Sequence, residues 1–399
     1  MKQSYLLLVA FLFILFTANA QEISDTSFGK GIINYTAKDS TFSVKFAPRI
    51  QFRANTFWFH DGEQYGKPEQ NFIIRRARLK FDGFALNPRL KYKIELGLSN
   101  RDIAGANEFN NNSPRYILDA VIMWNFYENF ELWVGQTKLP GNVERVVSSG
   151  NLQLIDRSIL NSRFNIDRDI GFQLRHQINI GESFIIKEKL AYSQGEGRNV
   201  VVGNLGGHQY TGRLELLPFG AFKSKGDYSQ GDLKREPKPK LMMGFTYDFN
   251  NDAVRTRSNL GGYMDTSTGY YETDISTIFI DGMFKYQGFA IMYEYANREA
   301  AAPVAVEEDG TPTGDVVLEG DSFNFQASYL LKSNYEVTGR YTQNNYYKVT
   351  EVPAEKQYTL GFSKYVVEHK LKVQTDFTYS ELGDEQNFIA WRLGFDLHL

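Results

Sequence analysis

The chain has 399 residues, a formal net charge of −3 at pH 7, no cysteine and 15% aromatic residues. The absence of cysteine excludes a disulfide scaffold and a thiolate metal site, and the mildly acidic balance gives no support to nucleic-acid binding. A chain of this length ordinarily divides into two or more soluble domains. No Pro- or Ser-rich linker and no break in composition marks such a division.

The N-terminus sets the compartment. Lys2 supplies a positive charge, Leu6 to Phe16 is almost unbroken apolar sequence, and Ala18-Asn19-Ala20 is a small-x-small cleavage pattern. Residues 1–20 therefore read as a secretory signal peptide, since the apolar run is short for a membrane span. Residues 21–40 form a short polar lead-in. From residue 41 to 399 the sequence runs as one pattern: segments of about ten residues, apolar and polar in alternation, separated by turn residues. Period-two alternation is the signature of a strand with two unlike faces.

Sixteen segments follow this pattern: 42–57, 71–85, 90–100, 116–126, 130–137, 169–180, 183–194, 208–218, 240–249, 274–286, 288–298, 321–332, 335–345, 356–366, 370–381 and 387–398. Short connections alternate with long ones. A membrane β-barrel has an even strand count, short periplasmic turns and long outer loops, with apolar residues facing lipid and polar ones lining the lumen. The fold class is therefore all-β, a transmembrane antiparallel β-barrel. A soluble propeller or sandwich would alternate too, but no blade-sized repeat is visible. The connection from Phe219 to Pro239 breaks the rule, being long where a periplasmic turn is expected. The final strand puts Ile389, Trp391, Leu393, Phe395, Leu397 and Leu399 on one face. Such a strand is what the barrel-assembly machinery of Gram-negative bacteria reads, although this chain ends in Leu rather than Phe.

The lumen faces of the first three strands are basic. They carry Lys45, Arg49 and Arg53, then Arg76, Arg78 and Lys80, then Lys91 and Lys93, against the acids Asp82 and Glu95. Alternate residues on a strand lie about 6.6 Å apart, so these bases form ladders. Arg175, Lys187, Lys189 and Arg213 extend the set. A lipid-facing Arg at the midplane costs about 2–4 kcal/mol, which directs these side chains into the bore. Rows of Arg and Lys favour anions and phosphate there, and the planar Arg fork suits a phosphate group. General porins also line their bores with Arg paired to loop carboxylates, so the charge pattern leaves a non-selective pore open.

The stretch between the fifth and sixth segments, 138–168, is too long for a simple turn and has no strand period. It holds Lys138, Arg145, Arg157, Arg163 and Arg168 against Glu144, Asp156 and Asp167. A connection of that length usually has a role of its own. It is expected to fold into the bore and narrow it; an ordinary surface loop is the alternative. Enzyme readings find little. His60, His176, His208, His369 and His398 have neither metal-ligand spacing nor a nucleophile motif. No catalytic, cofactor or metal site is assigned.

Several of these stretches resemble the phosphate-selective porins O and P in their Bacteroidota form. The resemblance is carried by FSVKFAPRIQFR (42–53), RRARLKFDG (75–83), DAVIMW (119–124), VGQTKLP (134–140), NIDRDIGF (165–172) and GDYSQGDLKREPKPKL (226–241). It implies a sixteen-stranded barrel, a homotrimer in outer-membrane lipid, and a third loop folded into the pore. It also implies an Arg and Lys path for small anions, with Arg76, Arg78, Arg145, Arg157 and Arg163 as candidates. The expectation is an outer-membrane porin of a Gram-negative bacterium that passes small anions, phosphate or pyrophosphate first, with no enzymatic role. A general porin, or a plugged structural or adhesive barrel, is the alternative.

Overall fold

The computed structural model describes residues 28–181, 183–383 and 387–399. The expected signal peptide lies outside the described residues. No helix among them is long and apolar enough to cross a membrane.

A hairpin comes first, β1 (Ile33–Thr36) and β2 (Ser43–Phe46). Then come β3 (Arg49–Phe59), β4 (Glu69–Ala85), β5 (Asn87–Gly97), β6 (Ile117–Tyr127), β7 (Phe130–Lys138), β8 (Arg168–Ile180), β9 (Phe184–Ser193), β10 (Gln209–Leu217) and β11 (Lys240–Ala253). The outer hairpin β12 (Arg255–Arg257) and β13 (Leu260–Tyr263) leads to β14 (Thr273–Tyr286) and β15 (Phe289–Ala300). A second outer hairpin, β16 (Val304–Val306) and β17 (Pro312–Val316), leads to β18 (Gly320–Leu330), β19 (Tyr335–Tyr346), β20 (Glu355–Val367), β21 (Leu371–Leu382) and β22 (Phe388–His398).

Each long strand pairs antiparallel with its neighbour, and β22 returns to pair with β3 from His398↔Arg49 to Phe388↔Phe59. The main sheet has 18 strands; without β1 and β2 it is a closed barrel of sixteen. Closure leaves no unpaired edge in lipid. The expected first segment, 42–57, is interrupted. Pro48 lacks the N–H a ladder needs, and the chain breaks there into β2 and β3. Both still run beside β4, with Phe46 opposite Phe81 and Ile50 opposite Ala77. The lead-in is not featureless either, because β1 pairs with β2.

Alternation sorts the faces as expected. On β11, Met243, Phe245 and Tyr247 point out and are exposed, while Met242, Thr246 and Asp248 point in and are buried. A bulge in β4 breaks the period once: Gln51 pairs with Arg76 and Phe52 with Ile74, leaving Arg75 as the extra residue. Arg75 and Arg76 are both buried as a result. A bulge of this kind redirects a side chain without ending the strand. At the top of β7 the chain needs Gly135, at φ 122°, because an added Cβ would meet the Ala120 carbonyl oxygen at 2.2 Å. The backbone turns inward soon afterwards.

The core sits inside the barrel. The segment after β7 enters the lumen with two short helices, α2 (Val143–Val146) and α3 (Ile159–Arg163), where α1 (Asn100–Ile103) lies in an earlier outer loop. Val143, Val147 and Leu152 pack on Leu217, Met242, Met283 and Met292; Leu160, Phe164 and Ile166 pack on Ala191, Phe279 and Ala296. Carboxylates on the wall hold the inserted backbone. Asp281 accepts from Val143 N at 3.0 Å, Glu294 from Glu144 N at 2.7 Å and Asp376 from Ile155 N at 3.2 Å.

The long connection between β10 and β11 also turns into the lumen, from the opposite end. Phe222 joins the inner apolar cluster. Lys285 Nζ donates to the carbonyls of Gly226 and Ser229 at 2.8 and 2.6 Å. The two inserted segments meet: Gln230 N donates to Asn151 O, and Gln153 N donates to Gln230 Oε1, both at 2.9 Å. The departure from the short-turn rule is therefore a second insertion into the bore.

Candidate functional site

Both insertions fasten to the β10–β21 side of the lumen, with further ties to Arg53 on β3 and to Lys187 and Lys189 on β9. Along β4 to β8 a cavity of about 410 Å³ remains, bounded also by Gln357 of β20 and Arg392 of β22. Its lining carries Arg75, Arg76, Arg78, Arg101, Lys138, Arg145, Arg157, Arg168, Arg198 and Arg392 against Asp102, Asp156 and Asp167. A second cavity of about 200 Å³ adjoins it toward the periplasmic end and shares Arg78, Lys138, Ser149 and Arg168.

The acids engage some of these bases. Asp156, from the inserted loop, receives both ends of the Arg53 fork at 2.6 Å, and also Arg75 and Arg392 at 3.4 Å. Arg78 pairs with Asp102 at 3.0 Å and with Glu95 at 3.1 Å. Arg145 pairs with Asp167, its Nε 2.7 Å from Oδ1. Arg168 reaches Asp119 at 3.1 Å.

Other bases have no acid. Among the described residues no carboxylate pairs with Arg76, whose Nη1 donates to Gln51 Oε1 and whose charged neighbours include Arg49, Arg75, Arg78 and Arg157 as well as the Asp102 carboxylate. Arg157 donates only to the carbonyls of Glu144 and Val147, at 2.8 and 2.7 Å. Lys138 caps the last carbonyls of α2, reaching Arg145 O at 2.7 Å and Val146 O and Val147 O at 3.2 Å. A cation at a helix C-terminus is a favourable arrangement. At the outer mouth, Arg198 donates to the carbonyls of Asp102 and Arg115. Carbonyls orient a guanidinium without cancelling its charge, so the constriction keeps a surplus.

The other basic positions divide by partner and depth. Lys45 lies opposite Asp82 on β2, Lys80 is 2.9 Å from Asp82, and Lys91 is 3.6 Å from Glu131, all toward the periplasmic mouth. Lys93 sits between Glu95 and Asp119 at 3.0 and 2.6 Å. Arg49, Lys187, Lys189 and Arg213 are committed elsewhere. Arg49 forms a bidentate pair with Asp396 at 2.6 and 2.9 Å. Lys187 pairs with Asp227 of the second insertion at 2.5 Å, and Lys189 with Glu215 at 2.5 Å while donating to Tyr228 Oη. Arg213 is fully buried against Asp281 and Glu215, each at 2.7 Å. Arg163 pairs with Glu355 at 2.8 Å on the outer side of the loop. Arg175 stacks on Trp133, its guanidinium carbon 3.5 Å from the ring centroid.

Three lining bases escape an alternation argument. Arg75 is turned in by the bulge. Arg101 and Arg198 sit on outer loops, where no period assigns a face. The sequence signal for Arg75 was the doublet Arg75-Arg76 inside a strand, which cannot alternate without a bulge.

A family model described as phosphate-selective porin O and P matches residues 49–387. The chain belongs to the phosphate-selective porin O and P family. As in any porin of this family, the strands cross the outer membrane of a Gram-negative bacterium. An uncharacterised protein of Aquifex aeolicus (strain VF5) is 24% identical over 357 residues, covering 82% of this chain and 79% of that one. Two solved structures share the fold. An anion-selective porin from Comamonas acidovorans aligns with a TM-score of 0.53 at 12% identity, over 90% of this chain and 100% of that one. The outer membrane channel DcaP of Acinetobacter baumannii aligns at 0.50 and 12% identity, over 91% and 99%. The porin fold fits the geometry described above: a closed wall, an inserted loop, and cavities left along one arc.

Proposed function

We propose that this porin passes small anions by passive diffusion and takes inorganic phosphate first. The observation that carries the reading is the constriction pair Arg76 and Arg157, which line the larger cavity without a carboxylate partner among the described residues. An anion entering from outside meets Arg101 and Arg198, then this pair, then Lys93 and Arg175. Surplus positive charge between low-dielectric walls raises the local anion concentration. Charge-assisted hydrogen bonds from guanidinium forks offset the loss of hydration, and several sites in series allow release. The chain works as a homotrimer in outer-membrane lipid, which the family resemblance supports, and is inserted by the barrel-assembly machinery, which the apolar, aromatic final strand supports.

Asp156 favours a second reading. It gathers Arg53, Arg75 and Arg392 and removes much of their charge. If that neutralisation dominated, the pore would be a general one. The test is titration of phosphate into one chamber of a planar bilayer carrying chloride current. A phosphate-binding pore is blocked at low phosphate, and Arg76→Gln and Arg157→Gln each weaken the block. Unblocked chloride current would leave a general anion porin, and no current at all would move the plugged structural barrel to the front.

A further inference from the structure

The lumen face of a water-filled barrel is polar. On β6 and β7 part of it is apolar, beside Asp119 and Thr137. Met123 and Trp133 are cross-strand partners, and both line the inner cavity of about 200 Å³. Leu139 and Val146 of the inserted loop complete an apolar part of the same lining. Its two carboxylates are already engaged: Glu95 by Arg78 and Lys93, and Asp119 by Lys93 and Arg168. Arg175 differs from the other bases there. Its Nε and Nη2 donate to one amide oxygen, Gln173 Oε1, at 3.2 and 2.6 Å, and its plane rests on Trp133. No described carboxylate pairs with it, and its Nη1 has no described acceptor.

Inorganic phosphate would use only the cationic part of such a chamber. Met123, Trp133, Leu139 and Val146 offer it nothing. A solute with a charged head and a flat apolar body would use both parts. The head would take the free edge of Arg175, and the body would remove apolar lining from water.

We infer that the inner chamber is a subsite for small aromatic anions, selected by Met123 and Trp133 together with Arg175. The inference rests on the anion-path reading but not on phosphate being the favoured solute. The head group, carboxylate or phosphate, is left to the experiment's two arms.

The experiment is block of chloride current in planar bilayers by two matched pairs: benzoate against acetate, and phenyl phosphate against inorganic phosphate. The aromatic member of each pair is expected to block at about fivefold lower concentration, the size of one good aromatic contact. A preference in one pair only identifies the head group. Trp133→Leu should bring the members of that pair within about twofold. Met123→Asn should do so to a smaller extent. Equal block by both members of both pairs in the unaltered protein overturns the subsite, and so does an aromatic preference that survives both substitutions. A cation-selective reversal potential would overturn the anion path itself, a separate failure that the same recording detects.

Discussion

The two arcs of this barrel use the same residue types to opposite ends. On the β10–β21 arc, inward charges are spent on holding the inserted segments, some in closed pairs and some, such as Lys285, Arg298 and Lys372, on the segments' own carbonyls. Arg213 is fully buried, bound by Asp281, Glu215 and the carbonyl of Gly141. Glu294 and Asp376 receive backbone N–H groups of the loop. On the β3–β8 arc, bases outnumber acids and several bind only carbonyls. A buried, fully paired charge fixes a structure; a charge held by neutral partners keeps its field for a solute. The difference arises from which wall the loop leans on.

The largest expected effect breaks the structural arc. Arg213→Met leaves Asp281 buried without its partner and should cost about 3–5 kcal/mol, read as a lower urea midpoint of the folded barrel. Next, Arg76→Glu reverses a charge at the constriction and should lower the anion-to-cation permeability ratio about tenfold, equivalent to 1.4 kcal/mol. Asp156→Asn should sharpen the contrast by freeing Arg53, Arg75 and Arg392, raising that ratio about threefold in reversal-potential measurements. Lys189→Met, on a base already bound by Glu215 and Tyr228, should change it by less than about twofold. An effect as large as that of Arg76→Glu would mean that paired and unpaired bases are not electrically distinct.

The smallest effect concerns the outer loops. Burial pushes the Glu196 carboxyl up to about 7, and the charge of Asp169 adds to this. The Leu205 N–H at 3.2 Å acts the other way. Arg255 approaches only the Glu196 carbonyl, at 2.6 Å, and lies over Tyr263. The folded value lies above the ordinary 4.5. The stabilisation from the neutral form is therefore complete below the ordinary value and lost as pH rises through about 7. Proteolytic nicking of residues 194–208 should increase across that range, and Glu196→Gln should remove the dependence.

Much of the wall was legible because alternation repeats along each strand. Sixteen segments, their faces and the long third loop follow from residues such as Met243, Phe245 and Tyr247 against Thr246 and Asp248. What alternation cannot give is partners. Arg49 and Asp396 lie 347 positions apart, and Arg213 and Asp281 lie 68 apart. Arg49, Lys187, Lys189 and Arg213 share the inward face with Arg76, and only the closed barrel separates paired bases from unpaired ones. The inward turn of 219–239 was hidden for a related reason. Its Lys and Asp residues look like an exposed loop until Asp227 is seen on Lys187. Arg75 was hidden by a single extra residue in β4.

The central claim is that the β3–β8 arc carries a positive charge the loop acids do not cancel. The zero-current potential of the purified protein under a potassium chloride gradient tests it most directly. A potential of the sign set by chloride is expected, collapsing toward zero in Arg76→Glu. A potential of the sign set by potassium in the unaltered protein would contradict it.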